Sequence, residues 1–274
     1  MIQLDFSGKS VLITGGTKGI GLATAKKFGE AGARTYLTYK WGKSDHTCIF
    51  RDFEKLNAPR PTLIEADVSV DEDTEKLLSE IKIKENKIDF LINNVGVAQR
   101  TRTLAEYRKR SLFKTLEYST WPLIEYTKRI KKIFGSYPKH IIGISSSGPD
   151  HFFQGYDFVA ASKALLELFA KYLSIHLFKE GCRVNVIRFG PVETESFSLI
   201  FGKDFFEYLK DNNISEEMAL SLEDCGKAVV ALCCGLLDAL NGQIITIDKG
   251  MSFRDNIMQR YLESKAKKFE GHHT

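Results

Sequence analysis

Tyr156 and Lys163 stand seven residues apart in QGYDFVAASK. On a helix, positions i and i+7 share a face, so a phenol and an ammonium at this spacing can point into one cleft. A phenol can donate a proton, and a nearby ammonium keeps its surroundings positive. Ser145, Ser146 and Ser147 lie just upstream, after the apolar run HIIGI. Ser146 either contacts a substrate or caps a turn. For Tyr156 the alternative is a surface tyrosine in a glycine-flanked loop.

Residues 11–21, VLITGGTKGIG, hold a second site. Val11, Leu12 and Ile13 make a short apolar run, as a strand buried on both faces requires. Gly15, Gly16, Gly19 and Gly21 then turn the chain, with Thr17, Lys18 and Ile20 between them. LATAKKFGEAGA has helical apolar spacing and ends near Gly32. Strand, glycine turn and helix together form a dinucleotide site. Glycines admit a pyrophosphate to the backbone, and the helix N-terminus offers unpaired N–H groups.

The elements that must position these residues alternate along the chain. Strands are expected at residues 34–39, 62–65, 88–93, 140–145, 182–188 and 243–248, after the first at 11–13. Helices are expected at 45–56, 71–84, 156–179 and 221–237. Residues 105–133 read as mostly helical, with a boundary near Trp121-Pro122. Repeated βα units imply an α/β fold: a doubly wound parallel sheet of seven strands in a three-layer α/β/α sandwich of Rossmann type. The 274 residues carry no Pro/Gly/Ser-rich linker and no internal repeat, so one domain is expected over residues 1–274, with 254–274 a polar tail. Ligands should gather at the carboxyl ends of the strands.

The wording TGxxxGIG resembles the short-chain dehydrogenase/reductase family, and the resemblance covers about residues 5–252. In ASK, Lys163 stands where that family keeps its catalytic lysine, but the usual tyrosine position four residues earlier is Val159. Valine cannot donate a proton. Tyr-x6-Lys is instead the spacing of the enoyl-acyl-carrier-protein reductases, and QGYDFVAASKALLELFAKYL is similar to their corresponding stretch, particularly in the NADPH-dependent type. Gly190-Pro191-Val192-Glu193-Thr194 resembles their GPxxT turn, Asn93-Asn94-Val95-Gly96 the NNAG turn, and Ala66-Asp67-Val68 the adenine-binding acid. Ser146 falls at the family's catalytic serine. The helical asparagine of many members is not evident, and Thr115 is nearest by position. The resemblance implies that Tyr156 donates to an enolate oxygen while Lys163 binds the nicotinamide ribose. A donor displaced from the hydride-accepting carbon suits an enoyl thioester, where hydride enters two atoms from the thioester carbon.

After the second strand, Tyr39-Lys40-Trp41-Gly42-Lys43 contains no acid for a ribose 2′-hydroxyl. With Lys18 in the glycine turn, NADPH is the expected cofactor, because a 2′-phosphate needs cations. Solvated lysines are the alternative. Residues 196–209, SFSLIFGKDFFEYL, fall at the family's substrate lid and are strongly aromatic, which suits an acyl chain and equally suits plain packing. Arg100, Arg102, Arg108, Lys109, Arg110 and Lys114 face only Glu106 in residues 99–114, a patch for an acidic acyl carrier protein or a solvated helix face. Family members commonly pair into homodimers or homotetramers.

The net charge of +4 does not argue for nucleic acid, and no apolar run reaches membrane-spanning length. Five cysteines without CxxC or metal spacing, and no visible signal peptide, imply a reduced cytoplasmic protein with no metal. Adjacent Cys233 and Cys234 read as small apolar residues of a core helix. The leading expectation is an NADPH-dependent enoyl thioester reductase of fatty-acid or polyketide type. The rivals are an NADPH-dependent carbonyl reductase and an NADP-binding protein without turnover.

Overall fold

In the computed structural model, residues 4–40, 46–97, 99–211, 219–254 and 258 are described. Among them, seven strands form one sheet: β1 (Ser10–Ile13), β2 (Arg34–Tyr39), β3 (Thr62–Glu65), β4 (Phe90–Asn93), β5 (His140–Ser146), β6 (Arg183–Phe189) and β7 (Ile244–Ile247). Their order is β3-β2-β1-β4-β5-β6-β7, and every pairing is parallel. The order reverses direction between β1 and β4, which opens a crevice at their carboxyl ends.

The strands alternate their side chains between two cores. Val11 and Ile13 of β1 face a layer containing Phe28 and Val229. Leu12 faces the opposite layer, with Leu78, Tyr126 and Leu166. Burial on both faces is why the strands read as unbroken apolar runs. Helices α1 (Gly19–Glu30), α2 (His46–Lys55) and α9 (Leu222–Cys233) cover the first face. Helices α3 (Asp71–Lys84), α5 (Trp121–Phe134) and α6 (Asp157–His176) cover the second. Helix α4 (Lys109–Ser119) precedes α5, and α7 (Glu195–Phe201) and α8 (Phe205–Asp211) follow β6. A last turn, α10 (Met251–Arg254), follows β7. No helix among the described residues is long and apolar enough to cross a membrane.

Several boundaries differ from the sequence reading. The helix expected at 156–179 starts at Asp157, with Tyr156 as its N-cap, and stops at His176. A short 3-10 turn, Phe178–Glu180, follows it, and Gly181 closes that turn at φ 76°. The expected 221–237 helix ends at Cys233, so Cys233 is core while Cys234 is the half-buried C-cap. Its N-terminus is a full capping box between Ser221 and Asp224. The segment expected as mostly helical over 105–133 divides at Thr120 between α4 and α5, near the expected boundary at Trp121-Pro122, and opens with a 3-10 turn at Leu104–Glu106. The expected polar tail lies outside the described residues apart from Arg254 and Met258.

Gly143 brings α6 close to β5, because a Cβ there would sit 2.9 Å from Leu166 Cδ2. At the base of β5, His140 is 1% exposed, stacks on Phe90 at 5.9 Å, and places Nε2 3.2 Å from Asp238 Oδ1. Burial pushes its imidazole down to about 4, and Asp238 only partly restores it. His140 is therefore neutral in the folded protein at pH values where the unfolded chain, at its ordinary 6.5, already binds a proton. Stability from this residue is present above pH 6.5 and is lost as pH falls toward 4. Lowering pH from 7.5 to 5 should cost about 2 kcal/mol through His140 alone. Urea unfolding of wild type and His140→Gln at both pH values checks this. The variant should lose less stability by about that amount, and parallel losses would rule the residue out.

Candidate active site

The glycine turn is locked to the end of β4. Asn94 Nδ2 donates to the carbonyls of Thr14 (3.0 Å) and Gly15 (3.1 Å). In return, the N–H groups of Asn94 and Val95 donate to Thr14 Oγ1 at 2.9 and 3.2 Å. Gly15 has φ 62°, and a Cβ on it would lie 3.0 Å from Val95 Cγ2, so the valine that replaces an alanine of the NNAG pattern fills the space above the turn. A Cβ on Gly21 would lie 2.4 Å from the Gly15 carbonyl oxygen, so only glycine lets α1 start here. The N-cap of α1, Lys18, supplies no side-chain cap, and no acid stands in the first turn. That helix end presents open N–H groups and positive potential, which suits a pyrophosphate.

The turn borders a cleft of about 430 Å³. Gly15, Thr17, Lys18, Gly19, Ile20, Tyr39, Lys40, Asp67, Val68, Asn94 and Gly96 line one part of it. Ser146, Tyr156, Lys163, Gly190, Val192 and Thr194 line the rest. Of the residues expected here, Gly21 and Pro191 do not reach it: Gly21 packs beneath the turn, and the Pro191 carbonyl accepts from Leu220 N at 3.2 Å. Asn94 borders the cleft, but its amide is engaged with the glycine turn.

Two of the cleft lysines, Lys40 and Lys18, carry carboxylate partners. Lys40 Nζ donates to Asp67 and, at 2.7 Å, to Tyr118 Oη. Burial raises the proton affinity of Asp67, yet the Lys40 and Ser69 hydrogen bonds outweigh it and hold the carboxyl below its usual range. Lys18 Nζ lies 2.6 Å from Glu195 Oε2, across the cleft mouth. Trp41, Gly42 and Lys43 lie outside the described residues.

The phenol reaches the cleft by a different route from the shared helix face expected of i and i+7. Tyr156 is the N-cap of α6, and its carbonyl accepts from Ala160 N at 2.8 Å. Its ring lies against Gly148, where a Cβ would come within 2.5 Å of Tyr156 Cε1. Its hydroxyl donates to Ser146 Oγ at 3.0 Å. Burial raises the phenol's pKa, and the Ser146 bond partly opposes this, so the phenol is protonated at neutral pH. Val159 is buried in a small apolar cluster with Tyr156 and Ile200. Lys163 Nζ donates to the Ile144 carbonyl at 2.7 Å, not to Tyr156. Full burial pushes Lys163 down to about 8, while Glu167, one turn along α6, works the other way. Thr115 is fully buried, with its hydroxyl donating to the Ser111 carbonyl at 2.9 Å, so it does not serve the cleft. Ser119 lies nearer, holding Val97 N at 3.1 Å, and no sequence signal marked it. Tyr118 and Gly148 were missed too. Gly148, directly after the serine triplet, makes room for the phenol by lacking a side chain.

Over the cleft, Thr194 caps α7 by accepting from Phe197 N at 3.1 Å. Phe197 and Phe201 line the cleft, with Tyr156 and Phe201 ring centres 5.5 Å apart. Phe205 and Phe206 support Phe197 from outside, with centroids 5.0 and 5.3 Å from it. Arg100, Arg102, Arg108, Lys109, Arg110 and Lys114 are all exposed, and the Glu106 carboxylate accepts from Arg102 N at 2.7 Å. Among the described residues, no group of His, Cys, Asp and Glu is placed to hold a metal ion.

A family model described as enoyl-(acyl carrier protein) reductase matches residues 15–252. The chain belongs to this family of short-chain dehydrogenases/reductases. The chain is 26% identical to the enoyl-(acyl-carrier-protein) reductase (NADH) FabI of Aquifex aeolicus, over 89% of this chain and 91% of that protein. It is 28% identical to the 3-oxoacyl-(acyl-carrier-protein) reductase FabG of Chlamydia pneumoniae, over 92% of this chain and 100% of that one. Its fold matches a Burkholderia cenocepacia short-chain dehydrogenase solved in complex with NADP, with TM-score 0.78 and 23% identity over 92% of this chain and 100% of that chain. It is thus an oxidoreductase of this superfamily with a nucleotide-binding fold.

The contact at Gly148 gives a test of this geometry. Gly148→Ala should force the Tyr156 ring outward while leaving the glycine turn intact. Misplacing a reacting group by about 1 Å can cost roughly 10²-fold in rate. Dinucleotide affinity, read by fluorescence titration, should hardly change while turnover falls by that order. A variant with wild-type turnover would show that the ring's position is not critical.

Proposed function

We propose that this reductase uses NADPH to reduce the C2=C3 double bond of enoyl thioesters. The observation that carries the reading is the placement of the phenol: position 159 is an apolar wall, and the hydroxyl enters from the helix cap at Tyr156. The nicotinamide, when bound, supplies hydride to C3 of the substrate. The electron pair then moves to the thioester oxygen, where the protonated Tyr156 donates a hydrogen bond and holds the enolate charge. Lys163 in its ammonium form would bind the ribose hydroxyls and keep the phenol's surroundings positive. C2 then takes a proton from solvent, which completes the saturated acyl thioester and leaves the Tyr156 phenol protonated. Phe197, Ile200 and Phe201 shape an apolar channel for the acyl chain.

A second reading, reduction of a 3-oxoacyl or other ketone carbonyl, is favoured by the Ser146–Tyr156 bond of 3.0 Å. Two hydroxyls meeting at one point suit a carbonyl oxygen that needs two donors. The FabG relative is named for that reaction. Binding of NADP without turnover is the reading left if Tyr156 donates to neither substrate.

For the cofactor, Lys18 and Lys40 border the cleft and Tyr39-Lys40 offers no carboxylate to a ribose 2′-hydroxyl. A 2′-phosphate would take Lys40 in exchange for Asp67. The FabI relative is named for NADH, and the Burkholderia structure holds NADP. The exposed basic side chains from Arg100 to Lys114 suit an acidic acyl carrier as the donor of the thioester. Exposed Phe113 and Trp121, with Leu168, Tyr172 and Ile175 of α6, suit self-association into a dimer or tetramer.

Tyr156→Phe removes one hydroxyl and should keep NADPH binding, while turnover of a trans-2-enoyl thioester falls by roughly 10²–10⁴-fold. Parallel assays with enoyl and 3-oxoacyl thioesters decide between the readings: activity on the ketone alone transfers the site to carbonyl reduction. In separate binding measurements, Lys40→Ala and Lys18→Ala should weaken NADPH and barely touch NADH. Tighter binding of NADH than NADPH by wild type would overturn the cofactor assignment.

A further inference from the structure

The mechanism above leaves a buried ionic cluster without a role. Arg188 of β6 is only 13% exposed in its side chain. It grips Glu167 of α6 with two bonds, Nε to Oε1 at 2.7 Å and Nη2 to Oε2 at 2.6 Å. Glu167 is itself 5% exposed in its side chain and also accepts from Ser145 Oγ at 2.6 Å. These bonds already satisfy the buried carboxylate. Arg188 nevertheless extends its remaining Nη1 to Asp150, which is 59% exposed.

Asp150 stands within residues 147–155, the loop that joins Ser146 to Tyr156. The hydroxyls at the two ends of that loop bond each other. The loop's own bonds at its start, from the N–H groups of Asp150 and His151 to the Ser147 carbonyl, are local. At its far end, Thr101 N donates to the Gly155 carbonyl at 3.4 Å, and Tyr107 Oη donates to Asp157 at 2.7 Å. Between these ends, Asp150 to Arg188 is the ion pair that fastens the loop to the sheet among the described residues.

We propose that Arg188 is a positioning residue: its third arm, on Asp150, holds the loop so that the Tyr156 phenol stays on Ser146 and in the cleft. The proposal rests on Tyr156 being the donor, and it applies equally to an enoyl or a ketone substrate. Arg188 touches neither the cofactor cleft nor the phenol, so its action is through the loop.

Removing Arg188 outright would leave Glu167 buried without its partner, and such a variant can fail to fold. Asp150→Ala is the cleaner probe, because the exposed carboxylate leaves while the Arg188–Glu167 pair stays. Turnover should fall by about 10- to 100-fold, with KM and NADPH affinity within about threefold of wild type. In a Tyr156→Phe background the same substitution should add less than about twofold, since the two act through one hydroxyl. Arg188→Lys, which keeps charge against Glu167 but loses the fork, should resemble Asp150→Ala.

A second readout needs no turnover. In protein labelled with 3-fluorotyrosine, the 19F resonance of Tyr156 is assigned by its absence in Tyr156→Phe. Asp150→Ala should shift or broaden that resonance and leave the other tyrosines unmoved. Wild-type turnover with an unchanged Tyr156 resonance overturns the proposal, as does an equal loss of turnover in the Tyr156→Phe background. If wild type reduces neither thioester, the catalytic reading fails by itself. The resonance then decides alone: a shift supports the loop anchor, and no shift rejects it.

Discussion

The cleft depends on one side-chain amide. Asn94, just past β4, donates to two successive carbonyls of the turn that follows β1. The sheet order reverses between those two strands, whose ladder ends at the Ile13–Ile92 pair, with Thr14 N donating to the Ile92 carbonyl at 3.0 Å. Together with the Thr14 hydroxyl, which accepts from the N–H groups of Asn94 and Val95, that clamp fixes the turn and its left-handed Gly15 against the end of β4. With it, the open N–H groups of α1 and the ends of β4 and β5 form one wall. Val95 adds packing on the same turn, which makes the clamp part amide and part methyl contact.

The second constraint is the burial of charge. Lys163 is buried at the cleft wall, bonded to the Ile144 carbonyl, and its proton affinity is correspondingly low. Glu167 lies one turn further and is saturated by Arg188 and Ser145. A buried ion is tolerable when its bonding positions are filled, and costly when one partner is lost. Helix α6 therefore cannot slide or rotate without stranding one of these groups. That rigidity carries to Tyr156 at its cap, and Gly143 allows the close approach to β5 on which it rests.

Local chemistry made much of this legible. The apolar run at 11–13 and the glycine turn after it rest on interactions within a few residues. The α3 boundaries at Asp71–Lys84 follow from three acids at one end and lysines at the other. Tyr156 and Lys163, picked out by their spacing, both line the cleft. The spacing implies a shared helix face, whereas the tyrosine caps the helix.

By itself the sequence determined the order of strands and helices, the glycine turn, and the absence of a phenol at Val159, since each follows from residue type and near neighbours. Only the tertiary structure decided what each charged or hydroxyl group meets. Lys40 finds Asp67 across 27 residues, Lys18 finds Glu195 across 177, and Tyr156 finds Ser146 across a loop of the chain. Thr115 was nearest by position, yet its hydroxyl turned back on its own helix. Such pairings depend on where strand ends converge in space. Electrostatic and hydrogen-bonding partners are set by distance through the fold, which spacing along the chain does not encode.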